Sequence, residues 1–416
     1  MADAIIIGAG AAGMMAAIVA AERGREVLLL EKMGQPGLKL RITGKGRCNM
    51  TNTAPLREFL GHVGSDSRFV RNSASRFFNR ELMEFFESRG VPLVEERGGR
   101  VFPKSGKSLD IFLAMIGDLE RRPNVEIRRN CVVRTLAIDQ WPDGTRHVGG
   151  VRLADGTRLA ATRVLVATGG LSYPTTGSTG AGYMMAAEAG HSVVSQVPSL
   201  VALTCSEPLP PEVVGFTLRN VELSVANPDG KIVARHFGEM AVATDGLAGP
   251  IVLSTSREVS RLLNEGQKLT ARVDLKPAVP ADELDRRLQA DFDAQGKRLF
   301  NDALRLWLPA ELVPLALKRL HIEYYKRLHQ VNAAERRRLL AFLKGVEFTL
   351  VGTHGYNEAI FTQGGVSLAE VNLKTMESRL VAGLYFAGEV LDLDADTGGY
   401  NLQLAFTTAH AAGQNL

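Results

Sequence analysis

The chain has 416 residues, of which 45% are hydrophobic and 23% charged, as in an ordinary soluble globular protein with room for two or three domains. Its formal net charge of +4 is small for this length, so nucleic acid is not an expected partner. No stretch approaches the roughly 18 uncharged apolar residues of a membrane span. The three cysteines form no C-x-x-C pair, which argues against a zinc site or a disulfide framework. We therefore expect a cytoplasmic protein with no membrane segment and no metal.

A glycine-rich turn lies near the start of the chain. An apolar run ending at Ile7 predicts a buried strand, and the alanine-rich residues 11–23 predict a helix. The residues between them have the G-x-G-x-x-G spacing, which permits a tight turn, close approach of a pyrophosphate and close packing of the helix on the strand. The predicted contacts are Gly8, Gly10, Ala11, Ala12 and Gly13. This pattern predicts a dinucleotide site, but it does not distinguish FAD from NAD.

An acidic residue follows the next predicted strand. Residues 26–30 are predicted to form a strand that ends in Glu31, where a carboxylate can accept hydrogen bonds from ribose hydroxyls. The negative charge of Glu31 would disfavour a 2′-phosphate. The agreement of strand, turn, helix and acid is more specific than the glycine spacing alone.

Residues 37–52 alternate glycines with cations and small polar residues, which is typical of a loop that wraps a diphosphate. The alternative interpretation is a flexible basic surface loop. Cys48 is expected to serve small-polar packing rather than redox catalysis. The ligand contacts predicted in and just before this loop are Lys32, Lys39, Arg41, Thr43, Gly44, Arg47, Cys48 and Asn49.

Further along the chain, the pattern predicts a domain interrupted by an insert. Helical spacing covers 68–90 and 105–122, and an antiparallel sheet is expected over 125–160. The strand 163–168 brings Ala167, Thr168 and Gly169 to the carboxyl edge of the sheet. A strand, a glycine pair and a helix recur near the end of the chain, with predicted contacts at Gly388, Glu389, Gly399, Tyr400, Asn401 and Leu402.

The predicted fold class is α/β. A doubly wound, Rossmann-like nucleotide domain would comprise 1–195 and 346–416. Residues 196–345 would form an inserted substrate or cap domain with a β part (about 196–277) and a helical part (about 278–345), because strand-like alternation over 201–275 gives way to helical patterns over 281–345.

Four stretches together resemble the BaiN/RdsA-type, aminoacetone-oxidase-like family of FAD-dependent flavoproteins, and the likeness covers almost the whole chain. They are the glycine turn, residues 42–52, residues 167–174 and residues 388–403. The resemblance implies FAD, with the glycine turn and Glu31 at the pyrophosphate and adenosine ribose and the backbone of Val133 at the adenine. Residues 43–49 and 399–402 would hold the flavin end. The chain departs from the family at 242–250, where no Phe-Thr-His precedes the glycine-proline turn, so no histidine role transfers.

The leading functional expectation is an FAD-dependent oxidoreductase that exchanges a hydride with a small organic molecule, by amine or amino ketone oxidation or by enone-type reduction. The catalytic residues are not predicted. NAD(P)H or O₂ would act as a transient partner, since no second dinucleotide-binding pattern occurs. Two alternatives stay open: an RNA-linked flavoprotein that uses the basic segment 318–338, and a flavin-binding module without catalysis.

Overall fold

A computed structural model describes residues 2–64 and 66–416. The chain divides into two compact units, each with its own hydrophobic core. The first unit combines the chain up to Val197 with Ala359–Leu416, and the second is Pro198–Glu358. Among the described residues, no helix has the length and apolarity needed to cross a membrane.

The amino-terminal part of the first unit mixes strands and helices. Its strands are β1 (Ala4–Ile7), β2 (Val27–Leu30), β3 (Thr51–Asn52), β4 (Leu93–Glu96), β5 (Arg100–Pro103), β6 (Val125–Arg128), β7 (Val133–Gln140), β8 (Arg146–Leu153), β9 (Arg158–Ala160), β10 (Arg163–Val166) and β11 (Val193–Ser199). Its helices are α1 (Ala11–Glu22), α2 (Leu38–Ile42), α3 (Leu56–Gly61), α4 (Ser67–Ala74), α5 (Asn79–Glu87), α6 (Ser108–Glu120) and α7 (Ala181–Glu188).

The second unit begins with strands and ends with helices followed by one more strand. Its strands are β12 (Leu203–Cys205), β13 (Thr217–Ala226), β14 (Ile232–Val242), β15 (Gly246–Ala248), β16 (Leu269–Asp274) and β17 (Val346–Thr353). Its helices are α8 (Pro250–Asn264), α9 (Ala281–Ala294), α10 (Phe300–Ala303), α11 (Val313–Leu320) and α12 (Ala333–Lys344). The chain then returns to the first unit with β18 (Phe361–Val366), β19 (Leu384–Phe386) and α13 (Tyr400–Gly413).

A five-stranded parallel sheet organises the first unit, in the order β19-β10-β1-β2-β6. Every residue of β1 and β2 is buried, as expected for central strands covered on both faces. Because the strands are parallel, their carboxyl ends share one edge of the sheet. The predicted contacts after β1, β2, β10 and β19 therefore converge on that edge, and the predicted α/β fold class is confirmed.

A break divides the helical region predicted over 68–90. Two helices, α4 and α5, carry this spacing. The chain turns between them because the Phe78 N–H donates to the Glu81 side chain at 2.9 Å, which starts a new helix. The antiparallel sheet expected over 125–160 is formed by β7, β8 and β9, while β6 joins the parallel sheet instead.

A closed barrel of six strands, in the order β12-β15-β14-β13-β16-β17, forms the β part of the second unit. The structure differs from the sequence prediction at two places. Helix α8 lies inside 201–275, where alternation predicted only strands, and Pro250 occupies its first position. Residues 346–358 lie in the second unit rather than in the returning segment, because β17 pairs with β16 and β12 and closes the barrel.

Candidate functional site

The glycine turn connects β1 to α1 at the carboxyl edge of the sheet. Gly8 has a φ of +98°, and a Cβ there would lie 2.7 Å from the Ala167 carbonyl oxygen. A Cβ on Gly13 would overlap the Gly8 carbonyl oxygen, so both positions require glycine. At Gly10, by contrast, an added Cβ would meet nothing within 4 Å. The turn is therefore packed against protein at two glycines and faces open space at the third.

The start of α1 has no protein cap. Gly10 is the N-cap residue, it offers no side-chain hydrogen bond, and no acidic residue lies in the first turn. The N–H groups of Ala11, Ala12 and Gly13 have no acceptor within the helix, because the first turn has no preceding carbonyls. Unpaired N–H groups and the helix dipole favour an anion at this position. The donor set fits a pyrophosphate.

Glu31 follows β2 and is buried beside the glycine turn. Its carboxylate accepts hydrogen bonds from the Ala9 N–H at 2.9 Å and the Met33 N–H at 2.8 Å. Each oxygen keeps a second lone pair, which is available to a ribose hydroxyl. The Cys131 N–H donates to the Glu31 carbonyl at 2.8 Å and ties the start of β7 to this position. Val133, the predicted adenine contact, is the first residue of β7 and pairs with Leu153.

Lys32 and two arginines of the following loop have protein partners. Lys32 donates to Thr179 at 2.7 Å. Burial lowers the pKa of Lys32, and this effect exceeds the opposite effect of the Glu31 charge. Arg41 donates to Gln35 at 2.7 Å. Arg47 forms an ion pair with Glu96, and its guanidinium lies 4.3 Å from the centre of the Phe102 ring. The charged groups of Arg41 and Arg47 thus stabilise the loop itself, and their predicted role as ligand contacts stays a prediction.

Backbone hydrogen bonds close the loop that contains Thr43 and Gly44. The Cys48 N–H donates to the Thr43 carbonyl at 2.9 Å, and the Thr43 hydroxyl donates to the Lys39 carbonyl at 2.9 Å. Gly44 has a φ of +61°, which favours glycine. Cys48 is fully buried, and burial raises the pKa of its thiol to about 12. A neutral, buried thiol agrees with packing rather than with nucleophilic or redox chemistry.

A buried polar network joins this loop to two other carboxyl-edge segments. The Lys39 ammonium contacts the Glu389 carboxylate at 2.6 Å and the Ser172 hydroxyl at 2.7 Å. Glu389 also accepts from the Ser172 hydroxyl at 2.7 Å and from the Thr362 N–H at 3.0 Å. The network holds the start of α2, the loop after β10 and the segment after β19 together. Lys39 and Glu389 are partners of each other, which the sequence did not indicate.

The strand ends beside this network bring main chain to the same edge. The Ala167 N–H donates to Ile7, and the Gly388 N–H donates to the Thr408 hydroxyl at 3.0 Å. Gly169 has a φ of +72°, and a Cβ there would lie 3.1 Å from the Ser178 hydroxyl. The Thr168 hydroxyl is buried and has no hydrogen-bond partner among the described residues. Ala167, Thr168, Gly169 and Gly388 are therefore held by backbone contacts and close packing.

The start of α13, like that of α1, has no side-chain cap. Gly399 is its N-cap with a φ of +98°, no side chain caps it, and no acidic residue lies in its first turn. In the amide orientation that satisfies its neighbours, Asn49 accepts from the Gly399 N–H at 3.0 Å and donates to the Thr51 carbonyl at 3.1 Å. The N–H groups of Tyr400, Asn401 and Leu402 have no acceptor within the helix.

The Asn401 side chain bonds to the backbone of the turn that precedes α13. Its amide exchanges hydrogen bonds with the backbone of Ala395, at 2.9 and 2.8 Å, and donates to the Asp396 carbonyl at 3.2 Å. Asn401 therefore holds the turn before α13. Sequence reasoning missed a further pair beside this turn, His62 and Asp396, which are 334 positions apart and share no motif.

Comparison with known proteins identifies the family. Residues 2–415 match the family described as HI0933-like protein Rossmann domain. The chain is 33% identical to a 3-dehydro-bile acid delta(4,6)-reductase of Clostridium scindens, over 98% of this chain and 97% of that protein. It is 31% identical to a ribosomal RNA dihydrouridine synthase of Escherichia coli, over 100% of this chain and 98% of that protein.

Solved structures share the fold at low sequence identity. A 3-ketosteroid delta1-dehydrogenase from Sterolibacterium denitrificans superposes with a TM-score of 0.51 at 13% identity, covering 99% of this chain and 98% of that one. The full-length family match and the two full-length relatives agree with the resemblance drawn from the four sequence stretches. The chain belongs to the HI0933-like Rossmann family.

Proposed function

We propose that this chain is an FAD-dependent oxidoreductase that reduces a carbon–carbon double bond conjugated to a carbonyl group. The observation that carries the proposal is the placement of two uncapped helix starts: Gly10 lies in the turn directly after β1 at the carboxyl edge of the sheet, and Gly399 is bonded to Asn49 at the end of the 43–49 loop. One helix start fits a pyrophosphate, and a second fits the electron-rich edge of a flavin. Glu31, with free lone pairs beside the first helix start, fits the ribose of the same cofactor.

The proposed binding roles follow the geometry of the first unit. The N–H groups of residues 10–13 bind the pyrophosphate, Glu31 binds the ribose, and the backbone at Val133 faces the adenine. Residues 43–49 and 399–402 hold the flavin end. Bound FAD supplies the hydride for the reaction, while the chain orients the cofactor and controls access of water.

The names of the two relatives support reduction rather than amine oxidation. One is named as a reductase of a 3-dehydro-bile acid, and the other as a synthase of dihydrouridine. Both names describe saturation of a double bond that is conjugated to a carbonyl. We infer that the substrate of this chain has the same arrangement. The proposed hydride source is a nicotinamide that docks transiently.

Anaerobic flavin spectroscopy tests the proposal. The purified protein should carry FAD, which NADH, NADPH or dithionite reduces and which cyclohexenone or the steroid enone androstenedione then reoxidises. Aminoacetone and simple amines test the alternative of an amine oxidase, because these substrates would reduce, and so bleach, the flavin of such an enzyme. Bleaching by aminoacetone together with no reoxidation by either enone would overturn the proposed reduction.

A second candidate function is reduction of a uracil base within RNA, and one surface feature favours it. Tyr324 and Tyr325 are 49% and 71% exposed, with their ring centres 5.1 Å apart in a T-shaped arrangement. They lie within residues 318–338, which carry seven Lys or Arg residues and two Glu residues. Exposed aromatic rings among cations are typical of single-stranded nucleic acid binding.

Several cations of this segment have intramolecular roles, which limits the basic surface. Lys326 pairs with Glu335 at 2.8 Å, and Arg336 pairs with Asp285 at 2.8 Å. Arg338 donates to the Leu320 carbonyl at 3.0 Å and so holds the loop before the tyrosines. These bonds fix the loop that presents the two rings, and the ion pairs neutralise two of the positive charges.

Filter binding with an oligouridine RNA separates the two candidates. If the substrate is RNA, a Tyr324→Ala/Tyr325→Ala double variant should lose about tenfold or more in affinity, as expected for lost base stacking. Phe237→Ala, which removes another exposed aromatic of the second unit, is the control. Binding that is equally weak in all three proteins, with no dependence on salt concentration, would exclude the RNA candidate.

A further inference from the structure

His62 and Asp396 form a pair at the turn that leads into α13. The Nδ1 atom of His62 lies 2.8 Å from an oxygen of Asp396. The Asp396 N–H donates to the His62 carbonyl at 3.0 Å, and Val63 bridges to Ala395 in antiparallel register. The chain after α3 and the turn before α13 are thus joined by both backbone and side chains. The side chains stay 35% and 26% exposed, so solvent reaches them.

The neighbouring aromatic residues fix the plane of the imidazole. The His62 ring stacks on Tyr400 with ring centres 4.4 Å apart and an interplanar angle of 22°. Tyr400 in turn packs edge-on against Phe59 at 5.1 Å. With Nδ1 directed at Asp396, the second ring nitrogen, Nε2, has no hydrogen-bond partner within residues 2–64 and 66–416. An imidazole oriented by a carboxylate, with its other nitrogen free, is the arrangement of a proton-transfer group.

We propose that His62 is the proton donor of the reduction and that Asp396 is its positioning residue. The inference rests on the proposed function. In that reaction the carbon–carbon π bond breaks, a hydride adds to the carbon distant from the carbonyl, and a proton adds to the carbon next to it. FAD, reduced beforehand by a nicotinamide, supplies the hydride. Nε2–H of the protonated His62 supplies the proton, and water returns a proton to His62.

Other titratable groups near the turn are less suited to this step. Burial raises the pKa of Tyr400, as do the charges of Glu58 and Asp396, so its hydroxyl stays protonated and a poor acid. Cys48 is fully buried, with a pKa of about 12.

The test compares two electron acceptors on prereduced holoenzyme in stopped flow. His62→Gln keeps a donor toward Asp396 but cannot carry the proton. We expect it to slow reoxidation by cyclohexenone about 100-fold or more, as for loss of a general acid. Reoxidation by ferricyanide, which needs no proton on carbon, should stay within about threefold of the wild-type rate. His236→Gln, which alters a histidine–carboxylate pair of 2.7 Å in the second unit, is the matched control.

The outcomes separate this inference from the proposed function. If wild-type protein reduces cyclohexenone and His62→Gln does so within threefold, the proton-donor assignment is wrong while the reductase proposal stands. Equal slowing with both acceptors would also overturn the assignment, because it indicates structural damage. If wild-type protein reduces neither enone, the proposed function fails and this inference fails with it.

Asp396→Asn provides a readout that does not depend on turnover. In the wild-type apoprotein, nitrogen NMR should find neutral His62 with its proton on Nδ1, directed at the carboxylate. The variant should shift that population toward Nε2–H and slow the cyclohexenone step while leaving FAD content unchanged. An unchanged tautomer in Asp396→Asn would remove Asp396 from its positioning role.

Discussion

Two glycines of the first turn are expected to affect different properties, Gly13 the stability of the fold and Gly10 the binding of the cofactor. A Cβ at Gly13 would overlap the Gly8 carbonyl oxygen, whereas a Cβ at Gly10 meets open space. We predict that Gly13→Ala destabilises the apoprotein by about 1 to 3 kcal/mol, the usual cost of overpacking. Gly10→Ala should leave apoprotein stability within about 0.5 kcal/mol but weaken FAD binding, because its methyl group occupies the space in front of the helix start.

Urea unfolding of the apoproteins and FAD titration measure the two effects. Gly61→Ala is a suitable control, since its Cβ would meet nothing within 4 Å and it lies at the end of α3. A Gly10→Ala variant that binds FAD as tightly as wild type would show that the pyrophosphate lies elsewhere. Equal stability of Gly13→Ala and wild type would contradict the packing described for the turn.

At the scale of elements, the start of α13 is expected to tune the flavin. Two-electron reduction places negative charge on the flavin, and a helix start carries about half a positive charge, so the helix favours the reduced state. Valine at Gly399 would overlap the Thr51 carbonyl and would have to adopt a φ of +98°. We predict that Gly399→Val displaces the helix start and either releases FAD or lowers the midpoint potential by roughly 10 to 40 mV.

Spectroelectrochemistry of Gly399→Val, with FAD occupancy measured in parallel, checks this expectation. Arg337→Ala alters a cation of the second unit and should change neither quantity. Full occupancy with an unchanged potential would reduce the Gly398-Gly399 pair to a structural turn and remove the carboxyl-terminal segment from the site.

At the scale of the whole molecule, the second unit has the features of an independent folding unit. It is one continuous segment, it contains a closed barrel without open sheet edges, and it has its own core. We predict that residues 198–358 expressed alone fold cooperatively and bind no FAD. A folded circular dichroism spectrum and a single urea transition that is the same for every probe would support this prediction. A dispersed NMR spectrum that appears only in the full chain would show that the second unit needs the first unit to fold.

The sequence by itself determined the nucleotide-binding class and the family. The strand, glycine turn, helix and acid lie within the first 31 residues. Because neighbouring residues specify this local geometry, the dinucleotide-binding pattern can be recognised from the sequence alone. The discontinuity of the first unit was also readable, because strand and glycine patterns recur at 384–403. The insert was predicted to begin at residue 196, and the second unit begins at Pro198.

Only the tertiary structure decided which side chains meet. The Lys39–Glu389 and His62–Asp396 pairs join positions more than 300 residues apart, and no periodicity links them. The membership of β17 in the barrel likewise depends on pairing with β12 and β16, because a strand carries no local sign of the sheet it joins. The hydrogen bonds from the Asn401 side chain to the backbone of Ala395 and Asp396 were likewise visible only in the structure. Local patterns specify elements and turns, whereas contacts between distant segments depend on packing free energy summed over the whole fold.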